Sequence, residues 1–159
     1  MIEREKLPYR KSTIGIITDN DGYFLVVNKK VYKDGQWSFP GGGVDEGETA
    51  MEAVKREFVE ELLGGEFEVI AESKIPYKYE WPDEVIEQTY ARKGTMFRGT
   101  ELVQFWVKYE GNRDAIRPGD GIRAVKWIKR EDLKNHLTFP NQWENAEKVI
   151  EEFSDKPLS

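Results

Sequence analysis

Three glutamates, Glu57, Glu60 and Glu61, crowd into a short stretch behind a run of glycines at Gly41, Gly42 and Gly43. Thr49 followed by Glu52 is the capping-box pattern, so a helix is predicted over Thr49–Leu63 with the glycines in the loop before it. Met51, Val54, Phe58 and Leu62 fall on one stripe at helical spacing and are predicted to face the core. A repeat of about 100° per residue brings the three glutamates together on one edge of that stripe. Ala50 and Ala53 share their face, which predicts open space beside the carboxylates. Like charges at these spacings repel, and glutamates in a last turn oppose the helix dipole. Arg56 can pair with Glu60 or Glu52, but one guanidinium cannot neutralise the set. A divalent cation can, because Mg2+ takes carboxylates, waters and substrate phosphates as ligands. The cluster therefore describes a site for metal and phosphate. A bare "EFVEE" is also what a solvated acidic helix end looks like, and spacing alone does not choose between the two.

The elements that must hold this cluster can be placed from pattern. Strands are predicted at Thr13–Thr18 and Tyr23–Val27, joined by the hairpin-type turn "DNDG". A short strand, Gln36 to Phe39, is expected to stop at Pro40. Further strands are predicted at Glu66–Glu72, Leu102–Tyr109 and Ala124–Ile128, and helices at Arg130–Asn135 and Gln142–Phe153. Pro82 to Thr100 reads as a long polar connection, of the kind that is either functional or a surface loop.

The chain of 159 residues is expected to form one domain over residues 1–159. With 38% hydrophobic and 13% aromatic residues it can build a core despite 34% charged residues. A net charge of −6 argues against strong sequence-independent binding to nucleic acid, although Arg92, Lys93 and Arg98 form a local basic patch able to hold a phosphate chain. The absence of cysteine excludes disulfides, thiol nucleophiles and zinc-thiolate sites, leaving oxygen ligands or the lone His136 for any cation. No apolar run reaches membrane-spanning length and the N-terminus lacks the apolar core of a signal peptide, so a cytoplasmic protein without membrane contact is expected. Oligomeric state is not legible.

Gly42, Glu48, Arg56-Glu57-Phe58 and Glu60-Glu61 reproduce G-x5-E-x7-R-E-U-x-E-E-x-G-U, and the segment resembles the box of the Nudix hydrolases. The resemblance implies an α+β fold, the Nudix-type α/β/α sandwich around a mixed β-sheet. It implies that Glu57, Glu60 and Glu61 are catalytic and bind Mg2+, or Mn2+, with the Gly41 carbonyl, and that Glu48 pairs structurally with Arg56. One departure stands at Leu63, where the family has glycine; Gly64 and Gly65 follow, so the helix is expected to run about one residue longer. The general base implied is Glu60 or Glu61, with Asp120 in "RPGDG" a second candidate that also reads as a turn residue.

Tyr9-Arg10, "WSFPGGG", "YEWP", "FRGTELVQFW" and "LTFPNQWENAEKVIEEF" extend the similarity towards the branch of bacterial RNA pyrophosphohydrolases and diadenosine tetraphosphate hydrolases. That branch usually has glutamine where Gly41 stands and a polar Gln-Lys pair near Leu102-Val103. By resemblance, Phe139 stacks on a purine, Arg10 and Lys30 reach phosphates, and Trp81 lines the pocket. The residues alone leave Phe139 equally readable as core, and Arg10 and Lys30 as solvated. His136 reads as a helix terminator. The activity implied is Mg2+-dependent hydrolysis of a pyrophosphate linkage in a nucleotide derivative. The expected substrate is a dinucleoside polyphosphate, mildly preferred because of the acidic net charge, or the 5′ triphosphate end of RNA. The alternatives are free nucleoside triphosphates or nucleotide sugars, or a module that senses nucleotides without turnover.

Overall fold

The computed structural model describes residues 3–154; residues 1–2 and 155–159 of the expected domain lie outside the described residues. The chain opens with a hairpin, β1 (Tyr9–Asp19) and β2 (Tyr23–Lys29), whose turn is tied by the Asp19 carboxylate accepting from the Asp21 and Tyr23 amides at 3.0 and 2.9 Å. Next come β3 (Gly41–Gly43), α1 (Ala50–Glu61), β4 (Leu62–Leu63), β5 (Glu68–Glu72) and β6 (Tyr77–Glu80). Helix α2 (Asp83–Lys93) leads to the long strand β7 (Gly99–Tyr109), followed by β8 (Arg117–Pro118), β9 (Ile122–Lys129), α3 (Arg130–His136) and α4 (Gln142–Ser154).

One mixed sheet runs in the order β5, β7, β1, β2, β9, with β3 added to β1 and β6 to β7. β1 and β7 are parallel in unbroken register, from Tyr9 opposite Gly99 to Asp19 opposite Tyr109. Strand alternation splits the apolar residues between two faces. Ile16, Phe24, Val26 and Trp106 pack on Leu133, Val149, Ile150 and Phe153 of α3 and α4. Their neighbours Ile17, Leu25, Val27, Phe105 and Val107 pack on Val54 and Phe58 of α1 and on Leu62. Helices on both faces make the α/β/α sandwich. Burying each large apolar side chain on α1 contributes about 1.5–3 kcal/mol, which fixes the helix to the sheet. Among the described residues no helix is long and apolar enough to cross a membrane.

Several expectations are corrected. Helix α1 begins at its capping box, with Glu52 N–H donating to Thr49 Oγ1 at 3.1 Å and Thr49 N–H to Glu52 Oε1 at 3.0 Å, but it ends at Glu61. It is shorter than predicted because Leu62 and Leu63 leave the helix to pair with Pro118 and Arg117 of β8. Met51 is exposed, and Ala53 takes the core position instead. Ala50 packs against the same apolar cluster, so both alanines serve packing. Gln36 to Phe39 makes only a bridge between Ser38 and Val27; the regular strand lies in the glycines, where β3 pairs Ser12, Thr13 and Ile14. The presumed loop from Pro82 to Thr100 holds α2, capped by Gly94 at φ 78°, and the start of β7. β6 was not foreseen.

Candidate active site

Glycine is required in β3 at Gly41, where φ is 154° and a Cβ would strike the Thr13 carbonyl of β1. A Cβ on Gly42 would strike the Glu57 carboxylate, and one on Gly43 would strike the Arg10 guanidinium. The backbone at Gly42 and Gly43 therefore runs close against both side chains. Arg56 joins the pieces. Its Nε and Nη2 donate to the two Glu48 oxygens at 2.8 and 3.0 Å, its Nη2 also donates to the Gly43 carbonyl at 3.0 Å, and its Nη1 donates to Glu57 at 3.0 Å and Glu60 at 3.4 Å. The Arg56 hydrogen bonds, then the Asp45 amide, hold the Glu48 carboxyl down at about 2.

Glu61 is buried at the end of α1, accepting from the Gly41 amide at 3.0 Å and facing Lys29 Nζ at 3.3 Å. Burial pushes its carboxyl above the ordinary range, against the opposing pull of Lys29. The same ammonium donates to the Gly41 carbonyl. A positive group thus already stands between a carboxylate and a backbone carbonyl, with Glu57 close enough to act on it. Two carboxylates and a carbonyl suit a hard divalent cation. Among the described residues no three acidic or histidine side chains converge as a metal-holding group.

Glu57, Glu61, Lys29 and Gly41–Gly43 form one wall of a cleft of about 890 Å³. Its floor is the sheet: Arg10 lies beside Thr100 and Tyr79, and Ser12 beside Leu102 and Tyr77, across three adjacent strands. Trp81, Tyr32 and Phe139 line it too, the last two in edge contact at 5.0 Å between ring centroids. Helix α2 closes the remaining side with Val85, Gln88, Thr89 and Arg92, one stripe at helical spacing.

Of the residues singled out from sequence, the cleft gathers Gly41, Glu57, Glu61, Arg10, Trp81 and Phe139. Glu60 is exposed beside Arg56 and does not line it. Asp120 is exposed in a turn, its amide bonded to the Glu60 carbonyl, and also stays outside. Lys30 is exposed, while its neighbour Lys29 enters the site. Strand parity carried that signal: counting in twos from Leu25 and Val27, which face α1, reaches Lys29. Of the expected basic patch, Arg92 and Lys93 line the cleft from α2 and Arg98 does not; the cleft-facing tyrosines of β6 were missed with that strand. His136 ends α3, its Nδ1 paired with the Asp132 carbonyl at 2.9 Å.

A model of the NUDIX domain matches residues 8–153. The RNA pyrophosphohydrolase of Sphingopyxis alaskensis is 31% identical over 158 residues, covering 96% of this chain and 98% of that protein. The RNA pyrophosphohydrolase of Wolbachia pipientis subsp. Culex pipiens is 33% identical, covering 97% and 94%. Among solved structures, the C. elegans Ap4A hydrolase binary complex superposes with a TM-score of 0.69 at 19% identity, covering 92% of this chain and 99% of that one. The E. coli dihydroneopterin triphosphate pyrophosphohydrolase does so with a TM-score of 0.69 at 20% identity, covering 91% and 99%. At these identities the structural likeness speaks for the fold. Family match, full-length relatives, fold and the Glu48–Arg56 architecture agree: the chain belongs to the Nudix hydrolase family.

Proposed function

We propose that this Nudix hydrolase cleaves a pyrophosphate linkage in a nucleotide 5′-polyphosphate, with a divalent cation, Mg2+ first, as cofactor. The observation that carries the reading is one cleft uniting Glu57 and Glu61, the half-buried Arg10, and the aromatic faces of Trp81 and Phe139. Carboxylates serve the reacting phosphorus, a guanidinium neutralises phosphate oxygens, and an aromatic ring stacks on a base whatever its identity. The 5′ triphosphate end of RNA is the first substrate class, supported by the full-length relatives named RNA pyrophosphohydrolase. Dinucleoside polyphosphates come second. The acidic net charge does not weigh against RNA at this site, because Arg10, Lys29, Lys33, Arg92 and Lys93 all line the cleft.

Glu57, Glu61 and the Gly41 carbonyl would hold the cation. When bound, it polarises phosphoryl oxygens and acidifies an attacking water. Glu61, buried at the end of α1, would take a proton from the attacking water as the new phosphorus–oxygen bond forms and the anhydride bond breaks, the leaving phosphate departing with the bonding electrons. Arg10 orients the chain beside the carboxylates, and Trp81 and Phe139 seat the nucleotide.

The test is incubation with a triphosphorylated RNA oligomer, diadenosine tetraphosphate, a nucleoside triphosphate and ADP-ribose, with and without Mg2+, products being identified by 31P NMR and chromatography. Cation-dependent release of pyrophosphate or phosphate from the RNA is expected. Nucleotide-induced thermal stabilisation without turnover of any substrate would overturn the reading.

A further inference from the structure

Arg10 of β1 and Arg92 of α2 both line the cleft. Arg10 rises from β1 against Gly43, near Glu57, and is half-buried. Its guanidinium has no hydrogen bond or ion pair with any described residue, and neither does that of Arg92. The other arginines around the cleft differ: Arg56 is held by Glu48, and Arg98 by Glu80. Arg92 is placed by α2, whose stripe of Val85, Gln88, Thr89 and Arg92 lines the cleft, with Lys93 beside it in the last turn. A last turn favours cations through the helix dipole, so the position tolerates a charge the cleft leaves unneutralised. Two guanidiniums lining one cleft repel, and the repulsion is relieved by an anion bound to both. Burial and, next, the Arg92 charge lower the Arg10 guanidinium from its ordinary range, while Glu57 and Asp45 act in the opposite direction.

Resting on the hydrolase reading, we infer that Arg92, with Arg10, forms a second phosphate subsite, beyond the phosphate at Glu57 and Glu61, and so selects substrates by the length of their phosphate chain. Arg10 lies between the carboxylates and α2, so a chain reaching Arg92 extends past the reacting phosphorus. A diphosphate-linked substrate engages the carboxylate end and Arg10; a tri- or tetraphosphate also reaches α2. Charged hydrogen bonds of this kind contribute about 1.5–3 kcal/mol, or about ten- to hundredfold in affinity.

The test is calorimetric titration of the full chain, without metal, with adenosine 5′-tetraphosphate and with ADP, for the wild type, R92Q and R92K. This reads binding alone, so it stands even if the protein turns over no substrate. The wild type is expected to prefer the tetraphosphate at least tenfold more than general charge alone requires, as measured by a preference that survives 0.15 M salt. R92Q is expected to reduce the tetraphosphate-to-ADP ratio about tenfold, and R92K to restore most of it. Equal affinity of the wild type for both ligands, or an equal loss for both in R92Q, would overturn the inference. Circular dichroism of R92Q confirms that α2 persists.

Discussion

Lys29 Nζ lies 3.3 Å from a Glu61 oxygen and also donates to the Gly41 carbonyl, so a lysine occupies the point on which two of the proposed cation donors converge. Its side chain is 19% exposed and that of Glu61 8%, which makes the pair internal. Removing one partner strands a buried charge. The Lys29→Met variant is therefore expected to lose about 3 kcal/mol of stability in EDTA. Mg2+ should return more stability to it than to the wild type, because the cation answers the orphaned carboxylate. Urea denaturation with and without Mg2+ measures both; an equal Mg2+ increment in the two proteins would refute the assignment of donors.

The three box carboxylates are not equivalent in position. Glu57 and Glu61 line the cleft, whereas Glu60 is exposed and meets Arg56 at 3.4 Å. Glu57→Gln and Glu61→Gln should each lower kcat by about 10²- to 10⁴-fold. Glu60→Gln should lower it far less. Steady-state kinetics on one accepted substrate orders the three, and a Glu60 loss equal to the others would show that Glu60 turns into the cleft during turnover.

Acid should loosen the Glu48–Arg56 fork. The Glu48 carboxyl sits at about 2 when folded, against about 4.3 in an unfolded chain. A depressed carboxyl stabilises the fold above its unfolded value and loses that contribution as pH falls through the folded one. Between about pH 4.3 and 2 the wild type should therefore lose Tm more steeply than Glu48→Gln. Parallel Tm curves would mean that the fork contributes nothing to pH dependence.

The box glycine is displaced by one position. Leu63 has ordinary backbone in β4, while Gly64 takes the left-handed conformation at φ 94°, where a Cβ would strike the Ala115 carbonyl. Gly64→Ala should cost at least the 1–2 kcal/mol or so of forcing an L-residue left-handed. Leu63→Gly, at an exposed strand residue, should cost about 1 kcal/mol or less. Chemical denaturation of the two variants compares them directly.

The site was legible where charge and spacing are local. Glu48, Arg56, Glu57 and Glu61 declare themselves because one capped helix and one glycine loop place them all. What stayed hidden depends on tertiary context. Helix α2 buries only Ile86 and Thr89, too few apolar positions to show a period, so its polar composition read as loop. The end of α1 is set by β8, far along the chain, which captures Leu62 and Leu63 where propensity would have continued the helix. Met51 and Ala53 are two residues apart, and choosing between them needs the angle at which α1 meets the sheet. Lys29 and Lys30 were separable by strand parity, but only once β2 was carried two residues past its predicted end.

The parallel ladder between β1 and β7 joins segments about ninety residues apart, and the floor of the cleft spans that seam through Arg10 beside Thr100 and Ser12 beside Leu102. Closing so long a loop is entropically slow. During synthesis, the opening hairpin must wait with one side of β1 bare until β7 has left the ribosome. A message truncated ahead of β7 yields half a floor and an open strand edge, a product prone to stick to its own kind.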